Sequence, residues 1–87
     1  MAEGGHFVYL LRCGDGTYYC GYTTDLASRV RAHAAGKGAR YTRGRGPLEL
    51  VYWETCADRS AALRREAEIK RKDHGAKAAL IVPGHER

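Results

Sequence analysis

The sequence predicts an α+β domain, a small antiparallel three-stranded sheet flanked by helices in the order ββαβα, with a short helix at the end. Three observations carry this. Two stretches rich in aromatic and β-branched residues, 7–13 (FVYLLRC) and 17–23 (TYYCGYT), flank a Gly-Asp-Gly sequence. Candidate helix caps stand before two later segments. The chain has 87 residues, about one domain's worth, which leaves no room for a doubly wound parallel fold.

Gly14, Asp15 and Gly16 between the first two stretches read as an Asp-Gly hairpin turn. Thr24 or Asp25 can cap a helix running to about Ala35, and Gly36 suits the left-handed position just past its end. Residues 36–46 (GKGARYTRGRG) are glycine-spaced and basic, and they read as a loop ending at Pro47. A third strand is expected at about Leu48 to Thr55. Asp58 or Ser60 then starts a helix to about Lys72, and Ala76 to Ile81 suggest a short third helix before Pro83. One domain over 1–87, with its core at about 6–82, accounts for the whole pattern.

Hydrophobic residues at 44% and charged residues at 29% are ordinary globular usage, so disorder and collagen-like repeats are excluded. The longest apolar run, Phe7 to Leu11, is far short of the roughly 18 residues of a membrane span. Met1 to His6 lack a basic start and a long apolar stretch, so a cytoplasmic protein is expected. Cys13, Cys20 and Cys56 have no metal-like spacing and are odd in number, which favours free thiols.

The formal charge of +5 is unevenly placed. From Leu26 to Leu48 there are six cations (Arg29, Arg31, Lys37, Arg40, Arg43, Arg45) and no acid. A second run, Arg64 to Lys77, holds Arg64, Arg65, Lys70, Arg71, Lys72 and Lys77 against Glu66, Glu68 and Asp73. Dispersed cations suit a phosphate backbone, and a solubilising face is the competing explanation.

On the second helix, at about 100° per residue, Ala62, Leu63, Ala67 and Ile69 share an apolar arc of roughly 160°. Glu66 and Lys70 lie inside that arc, whereas Arg64, Arg65, Glu68, Arg71 and Lys72 lie outside it. A carboxylate there needs a partner, which can be a metal ion, a cation or Lys70 at i+4. On the first helix Arg29 and His33 sit at the edge of the apolar arc, one turn apart. Six of the eight aromatic residues are Tyr, with Tyr9 on the first strand and Tyr18, Tyr19 and Tyr22 on the second; tyrosines in sheets are commonly there for packing.

Tyr9 in FVY, Tyr19 and Gly21 in YCG, Arg29 and His33 on the next helix and Glu66 on the last long helix form an ordered set that resembles the GIY-YIG nuclease domain. The chain looks most like the small stand-alone bacterial, YhbQ-like branch, sharing GKGARYTRGRGP, VYWE and ALRREAEIK. It departs from the family's pattern at Phe7, where the opening Gly is usual, and at Cys20, where Ile is usual.

The resemblance implies hydrolysis of phosphodiester bonds and leaves open what is cut; DNA ahead of RNA, with single-stranded or branched forms as candidates, is the expected substrate. It implies one Mg²⁺ or Mn²⁺ ion held by Glu66, phosphate oxygens and water. Of the paired tyrosines one would take a proton from the attacking water, with Tyr19 favoured, and the other would position it. Arg29 would stabilise charge on the phosphoryl oxygens, His33 and Tyr41 would be further catalytic positions, and Lys70 would support Glu66 or contact phosphate. Arg31, Lys37, Arg40, Arg43 and Arg45 would join Lys70 in holding nucleic acid.

Other chemistries fit less well. Asp15, Asp25, Glu49, Glu54 and Asp58 are too scattered for a two-metal site, and the D/E-x-K match at Glu68 to Lys70 lies within a helix with Glu68 facing out. No G-x-x-x-x-G-K-[ST] loop exists for a nucleotide, and no membrane partner is expected. The competing functions are a nucleic-acid-binding module with the same fold and little turnover, or an interaction protein docking on an acidic partner. The carboxylate on the basic side favours the enzyme.

Overall fold

The chain was analysed as a computed structural model, which describes residues 5–81. Strand β1 (Phe7–Arg12) is the most apolar stretch and takes the centre of the sheet. Strand β2 (Tyr18–Thr23) lies antiparallel on one side of it and strand β3 (Glu49–Thr55) antiparallel on the other, in the order β2-β1-β3. The expected α+β class and the order of elements along the chain, ββαβα with a short last helix, are those found. Asp15 closes the hairpin, its carboxylate accepting from the backbone N–H and the hydroxyl of Thr17 at 3.1 and 2.6 Å, while Gly16 takes φ +87°. These bonds and the Arg45 guanidinium hold the Asp15 carboxyl down at about 2.

Period-2 alternation divides β1 between two faces. Val8 and Leu10 join Cys20, Tyr52, Ala62 and Ile69 in the buried core beneath the longest helix. Phe7, Tyr9 and Leu11 point the other way. In register, Tyr9 pairs with Gly21 on β2 and with Trp53 on β3, and the β1–β3 register slips between Leu10 and Leu11, leaving Val51 as the extra residue.

Helix α1 (Leu26–Ala34) starts at Asp25, whose carboxylate accepts from the Ser28 N–H at 3.1 Å. Gly36 stands just past its end at φ +79°, with Gly36 N–H bonded to His33 C=O and Lys37 N–H to Ala32 C=O, a Schellman closure. Helix α2 (Arg59–Lys70) is capped by Asp58 on Ala61 N–H at 2.8 Å. Helix α3 (His74–Ala78) begins earlier than the expected 76–81 because Asp73 caps it, accepting from Ala76 N–H at 2.8 Å, and the same cap ends α2 before Lys72. Pro83, expected to follow it, lies outside the described residues.

The buried face of α2 also differs from the helical-wheel expectation. Ala62 and Ile69 are buried, but Leu63 is 37% exposed and Ala67 is exposed, whereas Arg65 is half-buried. Arg65 reaches Glu54 on β3 at 2.9 Å and Glu68 at 3.2 Å, and Glu54 also accepts from the Tyr52 hydroxyl at 2.6 Å. This network turns the helix so that a charged side chain displaces Leu63 from the sheet. No helix among the described residues is long and apolar enough to cross a membrane.

Candidate active site

On the face of the sheet opposite the core, Tyr9 lies across from Gly21, and a Cβ at Gly21 would fall on the phenol oxygen of Tyr9. The glycine of YCG therefore makes room for the tyrosine of FVY. Tyr9 is 1% exposed, and its hydroxyl meets Nε2 of His33 on α1 at 2.9 Å. Thr42, buried in the loop that follows α1, meets Nδ1 of the same ring at 2.9 Å.

The Thr42 hydroxyl, with one hydrogen, lies 3.0 Å from the Ala39 C=O and 2.9 Å from Nδ1. With that hydrogen on the carbonyl, the Thr42 oxygen accepts from Nδ1–H of His33 and Nε2 is open to the Tyr9 proton; the Ala39 N–H, aimed at Nδ1 from 3.4 Å, fits the other tautomer. Gly38 permits this packing, since a Cβ there would overlap the imidazole.

His33 was expected at the edge of the helix and is instead 2% exposed. Burial and the nearby Arg29 charge hold it below its ordinary pKa of 6.5. The unfolded chain therefore binds a proton more readily than the folded one, so this group's stabilising contribution is present above about pH 6.5 and is lost as pH falls toward the lower folded value. Urea denaturation of the parent and of His33→Gln at pH 7.5 and 5.5 checks this: the parent should lose stability on acidification more steeply than the variant.

Tyr19 extends the cluster, its ring 6.3 Å from that of Tyr9, 5.2 Å from His33 and 5.9 Å from Tyr41. Tyr41 in turn lies under the Arg45 guanidinium at 4.3 Å, and Arg45 is tied to Asp15 of the hairpin turn at 2.6 Å. The basic loop is thus pinned against the end of the hairpin. The Tyr19 hydroxyl has no hydrogen-bond partner among the described residues.

Glu66 belongs to α2, whose Ala62 and Ile69 pack on the core face of the sheet, and its charge reaches Tyr9 and Tyr19. Its side chain is 18% exposed, with Lys70 Nζ 3.3 Å from Oε2 as the i, i+4 pair. Burial raises both phenols above their ordinary range, Tyr9 the more strongly; Glu66 adds to the rise at each, and the Arg29 charge opposes it. Cys20, between Tyr19 and Gly21, donates its thiol to the Glu66 carbonyl at 3.9 Å and is pushed up to about 12, mainly by burial. It packs as a small apolar residue and offers no nucleophile.

Tyr9, Tyr19, His33 and Tyr41 are therefore joined ring to ring; Arg29 acts electrostatically on Tyr9, Tyr19 and His33, Glu66 on the two tyrosines, and Lys70 on Tyr19. Thr42 and Gly38 were missed; a loop without periodicity gives no signal for either beyond a hydroxyl and a glycine in GKGARYT. Among the cations assigned to nucleic acid, Arg31, Lys37, Arg40 and Arg43 are exposed with no ion pair among the described residues, whereas Arg45 is already engaged. If Arg40 and Arg43 touch phosphates, replacing both with Ala should flatten the plot of log affinity against log salt by about 2 units. An unchanged slope in a fluorescence anisotropy titration would assign their charge to solubility.

No three metal-ligating side chains converge among the described residues. A single, mostly buried carboxylate beside open cationic surface suits a hard octahedral ion that takes its other ligands from substrate and water. The Lys70 ammonium is an exposed partner and is readily displaced.

Residues 5–77 match the GIY-YIG catalytic domain. The chain is similar to the UPF0213 protein HQ_3675A of Haloquadratum walsbyi, 52% identical over 79 residues that cover 91% of this chain and 89% of that one. It is also similar to the UPF0213 protein SERP0126 of Staphylococcus epidermidis, 49% identical with 91% and 96% covered. The solution NMR structure of the UPF0213 protein BH0048 from Bacillus halodurans aligns at TM-score 0.59 and 44% identity, covering 93% of this chain and 86% of that one. That of EF2693 from E. faecalis aligns at TM-score 0.64 and 33% identity, covering 99% and 91%.

Proposed function

Because the chain belongs to the GIY-YIG family, whose domain is of nuclease type, we propose that it is a metal-dependent endonuclease hydrolysing phosphodiester bonds in DNA. The observation that carries this reading is Glu66, a carboxylate whose side chain is only 18% exposed and whose ion-pair partner among the described residues is Lys70 at 3.3 Å. A surface made only to hold phosphate is weakened by such a carboxylate, whereas one that also holds a cation needs it.

One Mg²⁺ or Mn²⁺ ion, held by Glu66, would supply Lewis-acid stabilisation of the phosphoryl oxygens. Every other role falls to the chain's own groups. A phenol with a raised pKa is neutral at pH 7 and can accept a proton from water only while passing on its own. Tyr9 has that exit in Nε2 of His33 when the imidazole carries its hydrogen on Nδ1, and Tyr19 has none among the described residues. The proton-accepting role therefore moves from Tyr19, favoured on sequence, to the Tyr9–His33 pair. Tyr19, partly open to solvent with its hydroxyl uncommitted, orients the water. Tyr9 is shielded in the free protein, so the water it serves is one enclosed beneath the bound substrate. Thr42 keeps the proton of His33 on Nδ1. Arg29, exposed and without a side-chain partner among the described residues, faces the phosphate and neutralises growing negative charge.

The test is a panel of labelled single-stranded, duplex, flap and branched DNA with Mg²⁺, Mn²⁺ or EDTA. Metal-dependent cleavage of at least one member is expected. Binding in EDTA with no cleavage under any metal would instead establish the binding module, the reading favoured by Lys70, which already offsets Glu66 at 3.3 Å. Within the enzyme reading, Arg29→Lys should bind substrate almost as the parent does yet lose about 10²-fold in single-turnover rate, because the planar guanidinium fork matches two phosphoryl oxygens and an ammonium does not. A parental rate in that variant would make Arg29 a binding residue.

A further inference from the structure

Trp53, the single tryptophan of the chain, has no part in the chemistry above, yet it is 50% exposed beside the candidate site. Its flanking residues on β3 explain nothing about it, because Tyr52 turns into the core on the opposite face and Glu54 is tied to Arg65. Register places it directly opposite Tyr9 across β1, so the two side chains rise from the same face of the sheet, with Cβ atoms about 5 Å apart. Phe7 meets the indole edge to face, ring centroids 6.0 Å apart and planes at 75°, which fixes the ring while leaving half of it in water.

We propose that Trp53 is a stacking platform for an unpaired base next to the scissile phosphate, so that the substrate is single-stranded at the site of cutting. This rests on the nuclease reading and adds the substrate's form to it. The occupant is argued from what surrounds the ring. His33 of α1 packs on Tyr9 on this face, with Thr42 of the basic loop behind it, and from Leu26 to Leu48 that stretch carries six cations, of which Arg45 is tied to Asp15, and no acid. A held aromatic face on the same side of the sheet as dispersed cations is the combination by which single strands are bound without regard to sequence. A base inside an intact duplex has both faces covered by its neighbours and cannot stack on a protein ring. Trp53 lies one strand from Tyr9, about 5 Å in the sheet, so a base adjacent to the reacting phosphate reaches it.

The sole indole reports on its own occupancy. The full chain in EDTA, which prevents cleavage, is titrated with a fluorescein-labelled oligothymidine and with a blunt hairpin duplex, and anisotropy and indole emission are read in separate unlabelled and labelled series. Emission should fall with the single strand at the same midpoint as the anisotropy change, and should not fall with the duplex. Trp53→Ala should weaken single-strand affinity on the order of 10- to 100-fold and leave duplex affinity unchanged, with Trp53→Phe in between. Far-UV circular dichroism of both variants checks that the fold is kept.

Single-strand binding with unchanged emission, or an equal loss of single-strand and duplex affinity in Trp53→Ala, would overturn the stacking assignment and leave the nuclease reading standing. Emission that shifts with protein concentration alone would assign the ring to contact with a second copy of the chain. Binding of neither DNA would overturn the nuclease reading itself, and the stacking assignment with it.

Discussion

In the Glu66→Gln variant, Mg²⁺-dependent cleavage should fall by about 10³-fold or more, the several kcal/mol that a bound metal ion contributes to a phosphoryl transition state. The fold should persist. Glutamine keeps the shape of the side chain, and the ion pair given up with Lys70 is a half-exposed i, i+4 contact worth only about 0.3–0.5 kcal/mol. DNA binding in EDTA should be unchanged or slightly tighter, since a negative charge has been removed from a cationic surface. Single-turnover cleavage, anisotropy and thermal melting together separate the possibilities. If the carboxylate exists only to pair with Lys70, then Glu66→Gln and Lys70→Met should lower the melting temperature alike, with cleavage at the parental rate.

Tyr9→Phe should reduce single-turnover cleavage by about 10²- to 10⁴-fold, the usual contribution of a positioned general base. The change removes one oxygen and leaves Nε2 of the buried His33 without its donor, so about 1–3 kcal/mol of stability should go as well. Tyr19→Phe is the discriminating control. Its hydroxyl has no partner to strand, so it should melt as the parent does and show the smaller rate loss. A larger loss in Tyr19→Phe than in Tyr9→Phe would return the proton-accepting role to Tyr19. Parental rates in both would reduce the tyrosines to packing.

Features governed by near neighbours in the chain were legible in the sequence. Asp25 and Asp58 cap helices through N–H groups three residues on, and Gly36 closes α1 in the left-handed region, so the element order follows from local chemistry. What failed depended on distant partners. Helical-wheel arithmetic put Arg65 outside and Leu63 inside because it could not know that Glu54, eleven residues back, would hold Arg65 on the sheet. One local signal also went unread: Asp73 caps α3 through an N–H three residues on, as Asp25 and Asp58 do, so α3 starts at His74 and not Ala76. For the site, the ordered motif brought Tyr9, Tyr19, Arg29, His33, Tyr41 and Glu66 to notice. The contact of Thr42 with Nδ1 of His33 follows only from three-dimensional packing across a loop.

Thr42 belongs to the same short loop as Arg40 and Arg43, the cations open to phosphate, and the loop is fastened to the hairpin at Arg45. In the nuclease reading, a pull on those guanidiniums is also a pull on the Thr42 hydroxyl that meets Nδ1 of His33, so grip and turnover would be coupled through this loop. A variant selected for tighter DNA binding through added loop cations should tend to draw Thr42 away from Nδ1, releasing the imidazole to its other tautomer, in which Nε2 carries the proton and Tyr9 has nowhere to pass its own. Affinity and rate would then trade against each other across a library of loop variants, and a loop lengthened between Thr42 and Arg43 would relax that trade by letting Arg43 move while Thr42 stays.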